Sequence, residues 1–259
     1  MNTLEIIGCN ATAPGRTGAA SSYLVHGPGG KVLVDAGPGS LLSFTRSHDL
    51  SELAGIVVTH LHADHSLDLM AWAYRWTFPE VLPRIPLFVP DDELDRLSRF
   101  DELFGIPTLP TMVTPVHTAF DVRGLDLDGR TPVEVGGWAV TPYRALHSVP
   151  SAALRFEGGG ASLAFSSDTG PCTTIVEAAS GADVFVCEST YLSAPDEVIH
   201  GHGHLTPELA AAAATRAGAR HLVLTHVARP EEAEEMGRVA RGHFDGPVTV
   251  AHEGLSITL

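Results

Sequence analysis

With 259 residues, 44% hydrophobic and 18% charged, the chain can build a large core without disulfides, and collagen-like, coiled-coil and disordered classes are excluded. Acidic residues outnumber basic ones 31 to 16, giving a net charge of −15, and Lys31 is the sole lysine, which excludes a general nucleic-acid binder. No run reaches the roughly 20 apolar residues of a membrane span, and Met1–Gly8 has no basic-then-apolar leader, so a cytoplasmic protein with no membrane partner is expected.

In chain order, Leu4–Ile7, Ser22–Val25, Val32–Asp35 and Gly55–Thr59 are apolar, mostly β-branched runs bounded by Gly, Pro and Asp. They predict strands, the first few spaced as a meander. Apolar residues at Leu69, Ala73 and Trp76, and again at Leu94, Leu97, Leu103 and Phe104, predict helices over 65–76 and 91–104. The aromatic residues Trp72, Tyr74, Trp76 and Phe78 suit a pocket wall, a dimer face or plain core packing. Further strands are predicted at Ala139–Thr141, Ala153–Phe156, Leu163–Phe165, Val184–Cys187, Leu222–Leu224 and Val248–Val250. Gly158-Gly159-Gly160 reads as a hairpin turn, because no helix start follows it. Thr206-Pro207-Glu208 opens a helix that Gly218 stops. With no internal repeat and no linker, residues 1–259 are expected to form one domain, each half running from sheet to helix. That order suggests two sheets face to face with helices outside. Cys9, Cys172 and Cys187 are too few and scattered for a disulfide framework and are expected as buried thiols.

The 14 histidines cluster. Thr59-His60-Leu61-His62-Ala63-Asp64-His65 follows a predicted strand and precedes a predicted helix. Imidazole and carboxylate bind zinc and similar divalent ions, and such a loop can turn His60 and His62 toward one ion and Asp64 and His65 toward a neighbour.

This HxHxDH motif resembles that of the metallo-β-lactamase superfamily. The resemblance implies an α/β fold, a four-layer αβ/βα sandwich, and ligands further along the chain. His147, Asp168 and His226 stand in that order, each after a predicted strand. By similarity His60, His62 and His147 hold one divalent ion, Asp64, His65 and His226 the other, and Asp168 bridges both. Zinc is the first expectation for the two ions, with manganese or iron as alternatives. Asp35 in Val34-Asp35-Ala36-Gly37 matches an acid that supports the histidine loop.

Cys187-Glu188-Ser189-Thr190-Tyr191 and Gly203-His204-Leu205-Thr206-Pro207 resemble motifs of the ribonuclease Z branch, in which a Glu and a His pair near the scissile phosphate. Glu188, His204 and Asp64 are therefore the expected catalytic residues, and His200 and His202 stay unassigned. The long basic arm of the tRNA-processing enzymes is missing, since only 20 residues separate His147 from Asp168, enough for a hairpin. The resulting expectation is a dinuclear hydrolase using a metal-bridging hydroxide on a small or cyclic phosphodiester, an anionic small molecule. Arg75, Arg144 and Arg229 are candidates to grip it, and the branch also implies a homodimer. The alternatives are an acyl hydrolase for a lactone, thioester or β-lactam, and a non-catalytic metal-binding protein.

Overall fold

The computed structural model describes residues 2–259. The first half supplies β1 (Thr3–Asn10), β2 (Ala19–Ala20), β3 (Ser22–Gly27), β4 (Gly30–Val34), β5 (Leu53–Val57), β6 (Ile85–Pro90) and β7 (Phe120–Leu125). The second half supplies β8 (Val133–Val135), β9 (Trp138–Arg144), β10 (Ala152–Gly158), β11 (Ala161–Phe165), β12 (Val184–Glu188), β13 (Leu222–Thr225) and β14 (Val248–Val250). The last strand, β15 (Ser256–Thr258), returns to pair antiparallel with β1.

The sheets run β15-β1-β3-β4-β5-β6-β7, with β2 beside β1, and β14-β13-β12-β11-β10-β9-β8. Each begins as an antiparallel meander and continues as parallel strands, in the first from β4 to β7 and in the second from β11 to β14. The inner parallel strands, from β4 to β6 and from β11 to β13, are largely buried on both faces, so they are apolar at successive positions. In β4, Val32 and Val34 enter the core between the sheets while Leu33 faces the helices. In β12, Val184 and Val186 point inward while Phe185 and Cys187 pack under helices on the other side.

Four layers result, as expected. Helices α1 (Ser40–Thr45), α2 (Ala63–Ser66), α3 (Leu69–Thr77), α4 (Leu94–Phe104) and α5 (Pro115–Ala119) belong to the first half, and the first sheet buries Leu33, Ile56 and Leu87 against Phe44, Trp72, Leu97 and Val116. The second sheet is covered by α6 (Thr173–Ala178), α8 (Pro207–Ala217) and α9 (Ala233–Arg241), with the short α7 (Asp196–Val198) in the loop between α6 and α8. The predicted caps of α8 are present: the Thr206 side chain accepts from the Leu209 N–H, and Gly218 is left-handed at φ 63°. Gly159 and Gly160 make the expected hairpin between β10 and β11.

Two helix predictions need correction. The stretch 65–76 is two helices, because the Ala36 N–H takes the His65 carbonyl (2.7 Å) and the Ala36 carbonyl takes the Asp68 N–H (2.9 Å), which pulls the chain out of helical register at Leu67–Asp68. The stretch 91–104 starts with a 3₁₀ turn before α4. Trp72 and Trp76 are core residues, whereas Phe78 is 55% exposed. Cys9 and Cys187 are buried and Cys172 is half-buried, all as free thiols. Among the described residues no helix is long and apolar enough to cross a membrane.

The sheets interlock through aromatic rings, Tyr23 of β3 meeting Phe165 of β11 at 5.3 Å, with Phe156 at 5.7 Å from Phe165 and 6.1 Å from Trp138. Phe156→Ala is expected to cost about 3–5 kcal/mol by leaving a cavity between the sheets, read as a lower urea midpoint at unchanged slope.

Candidate metal centre

Because β4 and β5 run parallel, and so do β11, β12 and β13, their C-terminal ends deliver chemistry to one edge. Asp35 follows β4, the histidine loop follows β5, Asp168 follows β11, Glu188 ends β12 and His226 follows β13. His147 lies in the loop joining β9 to β10. Ligand atoms of His60, His62, His147 and Asp168 lie within 4.8 Å of one another, and so do those of Asp64, His65, Asp168 and His226. Asp168 belongs to both groups, so all the residues that the sequence reading named as ligands meet in the pattern it named.

The rings are aimed by their other nitrogens. Asp35 Oδ2 accepts from His65 Nδ1 (2.7 Å) and from the Thr59 hydroxyl (3.0 Å), while Oδ1 takes the Thr59 N–H (2.7 Å). Since the Thr59 hydroxyl donates to Asp35, it accepts from His60 Nδ1 (3.2 Å). One carboxylate thus orients two histidines. Glu188 repeats the device: Oε1 accepts from His204 Nδ1 (3.0 Å), and Oε2 accepts from the Thr190 hydroxyl (2.7 Å), which accepts from His226 Nδ1 (2.8 Å). His147 Nδ1 donates to the Gly203 carbonyl (3.0 Å) at the end of a π-helical turn, Ile199–Gly203. Gly203 sits at φ 72°, where a Cβ would lie 2.6 Å from the Leu146 carbonyl. Sequence reasoning missed the two threonines and Gly203, although Thr59 directly precedes the histidine motif and Thr190 lies two residues beyond Glu188.

The donor set suits divalent ions. His60 Nε2, His65 Nε2 and Asp168 Oδ1 are buried without a hydrogen-bond partner, although His65 Nε2 and Asp168 Oδ1 face each other at 3.2 Å. Buried polar atoms are rarely left so, and a pair of cations, one for each ligand group with Asp168 common to both, would satisfy all three. Glu188, His204 and His226 form a third group with atoms within 4.8 Å of one another, but the Glu188 oxygens are already taken by the Thr169 N–H (2.8 Å), the Leu205 N–H (3.1 Å), Thr190 and His204. Glu188 is therefore an orienting carboxylate and not a ligand. The exposed His200 and His202 join none of the groups found among the described residues.

Charge balance follows burial. Asp168 is 2% exposed, and burial works against its charge, yet His226, His65 and His60 hold its carboxyl far below the usual range. For His65 burial opposes protonation, but Asp168 and Asp35 outweigh it and raise the pKa well above the ordinary value. Burial dominates at His60 and His62, both pushed down. At His204 burial is again opposed by the Glu188 carboxylate, and the pKa is raised. Four non-glycine residues here occupy left-handed backbone: Thr12 (φ 65°), Asp35 (63°), Ser167 (55°) and His226 (57°).

The arginine candidates need correction. Arg144 is committed to Asp92 (2.9 Å) and Asp128 (2.7 Å), and Arg229 pairs with Glu232 (3.2 Å). Arg75 lines a hollow with Leu53 and Ile85, at the N-terminal ends of β5 and β6 and so at the far edge of the sheet.

A family model described as the beta-lactamase superfamily domain matches residues 31–227. The chain belongs to that family. An uncharacterized protein of Mycobacterium leprae is 35% identical over 97% of this chain and 86% of its own length. A ribonuclease Z of Streptomyces avermitilis is 31% identical over 99% of this chain and 97% of its own. The metallo-β-lactamase fold protein YhfI from Bacillus subtilis superposes with a TM-score of 0.86 at 20% identity, covering all of both chains, so the fold is the metallo-β-lactamase sandwich. Family and relatives together make the chain a metal-dependent hydrolase with a His/Asp cluster suited to metal ions.

Thr190→Val keeps the shape of the side chain and removes the hydroxyl that links His226 to Glu188. It is expected to weaken binding of one ion by about 10–100-fold in chelator competition, while Thr190→Ser stays close to wild type. Unchanged affinity in the valine variant refutes the relay.

Proposed function

We propose that this protein is a dinuclear phosphodiesterase acting on a small or cyclic phosphodiester, with zinc as its first metal candidate. The observation that carries this reading is the Glu188–His204 pair placed beside the ligand cluster. His204 Nδ1 is 3.0 Å from Glu188 and 3.9 Å from Asp168 Oδ2, and its ring stacks on that of His226 at 5.7 Å. An acyl hydrolase has no need of a second histidine–carboxylate pair next to its metal site. Cleavage of a phosphodiester does, because the departing alkoxide has to gain a proton or a partner for its charge.

His60, His62, His147 and Asp168 would hold one ion, and Asp64, His65, His226 and Asp168 the other. When bound, such ions supply Lewis acidity toward a phosphoryl oxygen and offset the charge that develops there. The protein's own part is orientation and proton handling. Asp35 fixes His65 directly and His60 through Thr59, and Asp64 is held by the Thr12 N–H (2.7 Å). With Nδ1 committed to Glu188, His204 keeps Nε2 to donate to a phosphoryl or leaving oxygen. The nearby carboxylate favours the protonated ring that a donor requires.

The substrate is read as a small molecule and not tRNA. The alignment with ribonuclease Z extends over 297 positions against 259 residues here, so that relative carries additional chain. Between His147 and Asp168 this protein has only the β10–β11 hairpin, and its net charge of −15 disfavours a polyanion. A cytoplasmic location remains part of the proposal, and so does a homodimer, which the resemblance implies.

His204→Ala is expected to keep both metals by elemental analysis and to lose about 10²–10⁴-fold in kcat on bis(p-nitrophenyl) phosphate. Full turnover in that variant overturns the role given to His204. Cleavage of lactone or thioester probes alone by the wild type overturns the phosphodiesterase reading.

A further inference from the structure

The catalytic edge is poor in positive charge. Its loops, 11–18, 35–39, 58–68, 145–151, 166–172, 189–206 and 226–232, contain two guanidinium groups, Arg16 and Arg229, and no lysine. Arg229 pairs with Glu232 at 3.2 Å. Arg16 is exposed, and among the described residues no carboxylate lies within 4.0 Å of it.

The turn that carries Arg16 is held in place from several sides. Gly15 and Gly18 exchange both backbone hydrogen bonds (2.9 and 3.2 Å), which puts Arg16 and Thr17 at the tip of a two-residue turn. The Asn10 amide donates to the Gly18 (2.8 Å) and Ala19 (3.2 Å) carbonyls, and its oxygen accepts from the Thr17 hydroxyl (2.7 Å). The same loop is tied to the ligand-bearing segments: Thr12 N–H donates to Asp64 Oδ2 (2.7 Å), and Ala11 and Val227 are joined by an N–H···O bond of 3.3 Å, one residue past His226. A cavity opens between the two segments, lined by Thr12 and Arg16 on one wall and Val227, Ala228 and Glu231 on the other. A fixed turn leaves only the side chain to be ordered on binding an anion, and a guanidinium suits phosphate through parallel N–H groups.

We propose that Arg16 forms the subsite for a second, non-reacting phosphate, so that the preferred substrate is a phosphodiester carrying another phosphate on the arm away from the bond cleaved. This rests on the phosphodiesterase reading and names the substrate class within it. The reacting phosphate belongs to the metal cluster, and the second one lies in the cavity beside Thr12 and Val227.

The test compares thymidine 5′-(p-nitrophenyl phosphate) with its 3′-phosphorylated counterpart on the metal-loaded protein, alongside calorimetric titration with thymidine 5′-monophosphate and thymidine 3′,5′-bisphosphate. Wild type is expected to favour the 3′-phosphorylated member of each pair. In Arg16→Gln the ratio of kcat/KM between the two substrates should fall about tenfold, through KM, and the affinity ratio should fall with it, as for loss of one charged contact. Added salt should shrink the wild-type preference. Equal ratios in wild type and variant overturn the subsite. If neither diester is cleaved while the calorimetric preference exists and disappears in Arg16→Gln, the phosphodiesterase reading fails and the phosphate subsite stands.

Discussion

A carboxylate cannot sit 98% out of water without compensation, and Asp168 does so at the meeting point of the two sheets. Around it the protein assembles imidazoles: His65 at 3.2 Å, His226 at 3.4 Å, His60 at 3.8 Å and His147 at 4.0 Å. Each ring has to be turned so that one nitrogen faces inward, and that requirement explains the surrounding polar residues. Asp35 and Thr59 serve the loop after β5, Glu188 and Thr190 serve the segment after β13, and the Gly203 carbonyl serves His147. The buried hydroxyls are relays that let one carboxylate set two rings.

The two halves solve the problem in parallel ways. The last antiparallel strand of each sheet ends in an Asp-x-Gly-Pro turn, Asp35-Ala36-Gly37-Pro38 after β4 and Asp168-Thr169-Gly170-Pro171 after β11. Gly37 is needed where two loops press together. A Cβ on Gly37 would lie 2.1 Å from the Asp64 carbonyl, and one on Gly170 would touch Gly203 at 3.4 Å. The first turn orients the ligand loop and the second supplies the residue shared by both ligand groups, so the site depends on the facing of the sheets as much as on any single motif.

Much of this was legible in the sequence, because the ligand-type residues sit at the ends of apolar strands, where a local pattern announces both strand and side chain. The four-layer order followed from the sheet-then-helix run of each half, and the ligand grouping from the family resemblance that His60, His62, Asp64 and His65 carry together with the ordered His147, Asp168 and His226. What stayed hidden depends on contacts between distant segments. The break between α2 and α3 comes from Ala36, roughly thirty residues earlier, and Arg144 is spent on Asp92 and Asp128 in a way its sequence neighbours do not reveal. Strand β6 lies between prolines and β15 is short and mostly exposed, so neither carries the alternation that marks a half-buried strand. Thr190 stood inside a recognised motif, but a hydroxyl's part in a relay depends on what lies at each end of it.

The left-handed backbone at Thr12, Asp35, Ser167 and His226 bears on how such a protein can change over time. A non-glycine residue in that conformation is tolerated only where its surroundings fix it, typically at a cost of about 1–3 kcal/mol. Each of these positions belongs to the His/Asp cluster, orients it or touches it, so the geometry of the cluster is tied to backbone that its surroundings hold in place. Substitutions that alter specificity without disturbing the cluster are therefore expected away from these residues. The exposed positions Arg16 and Thr17 of the turn at Gly15–Gly18, and 200–202 ahead of Gly203, carry no such constraint, so substitution there leaves the chemistry beneath in place.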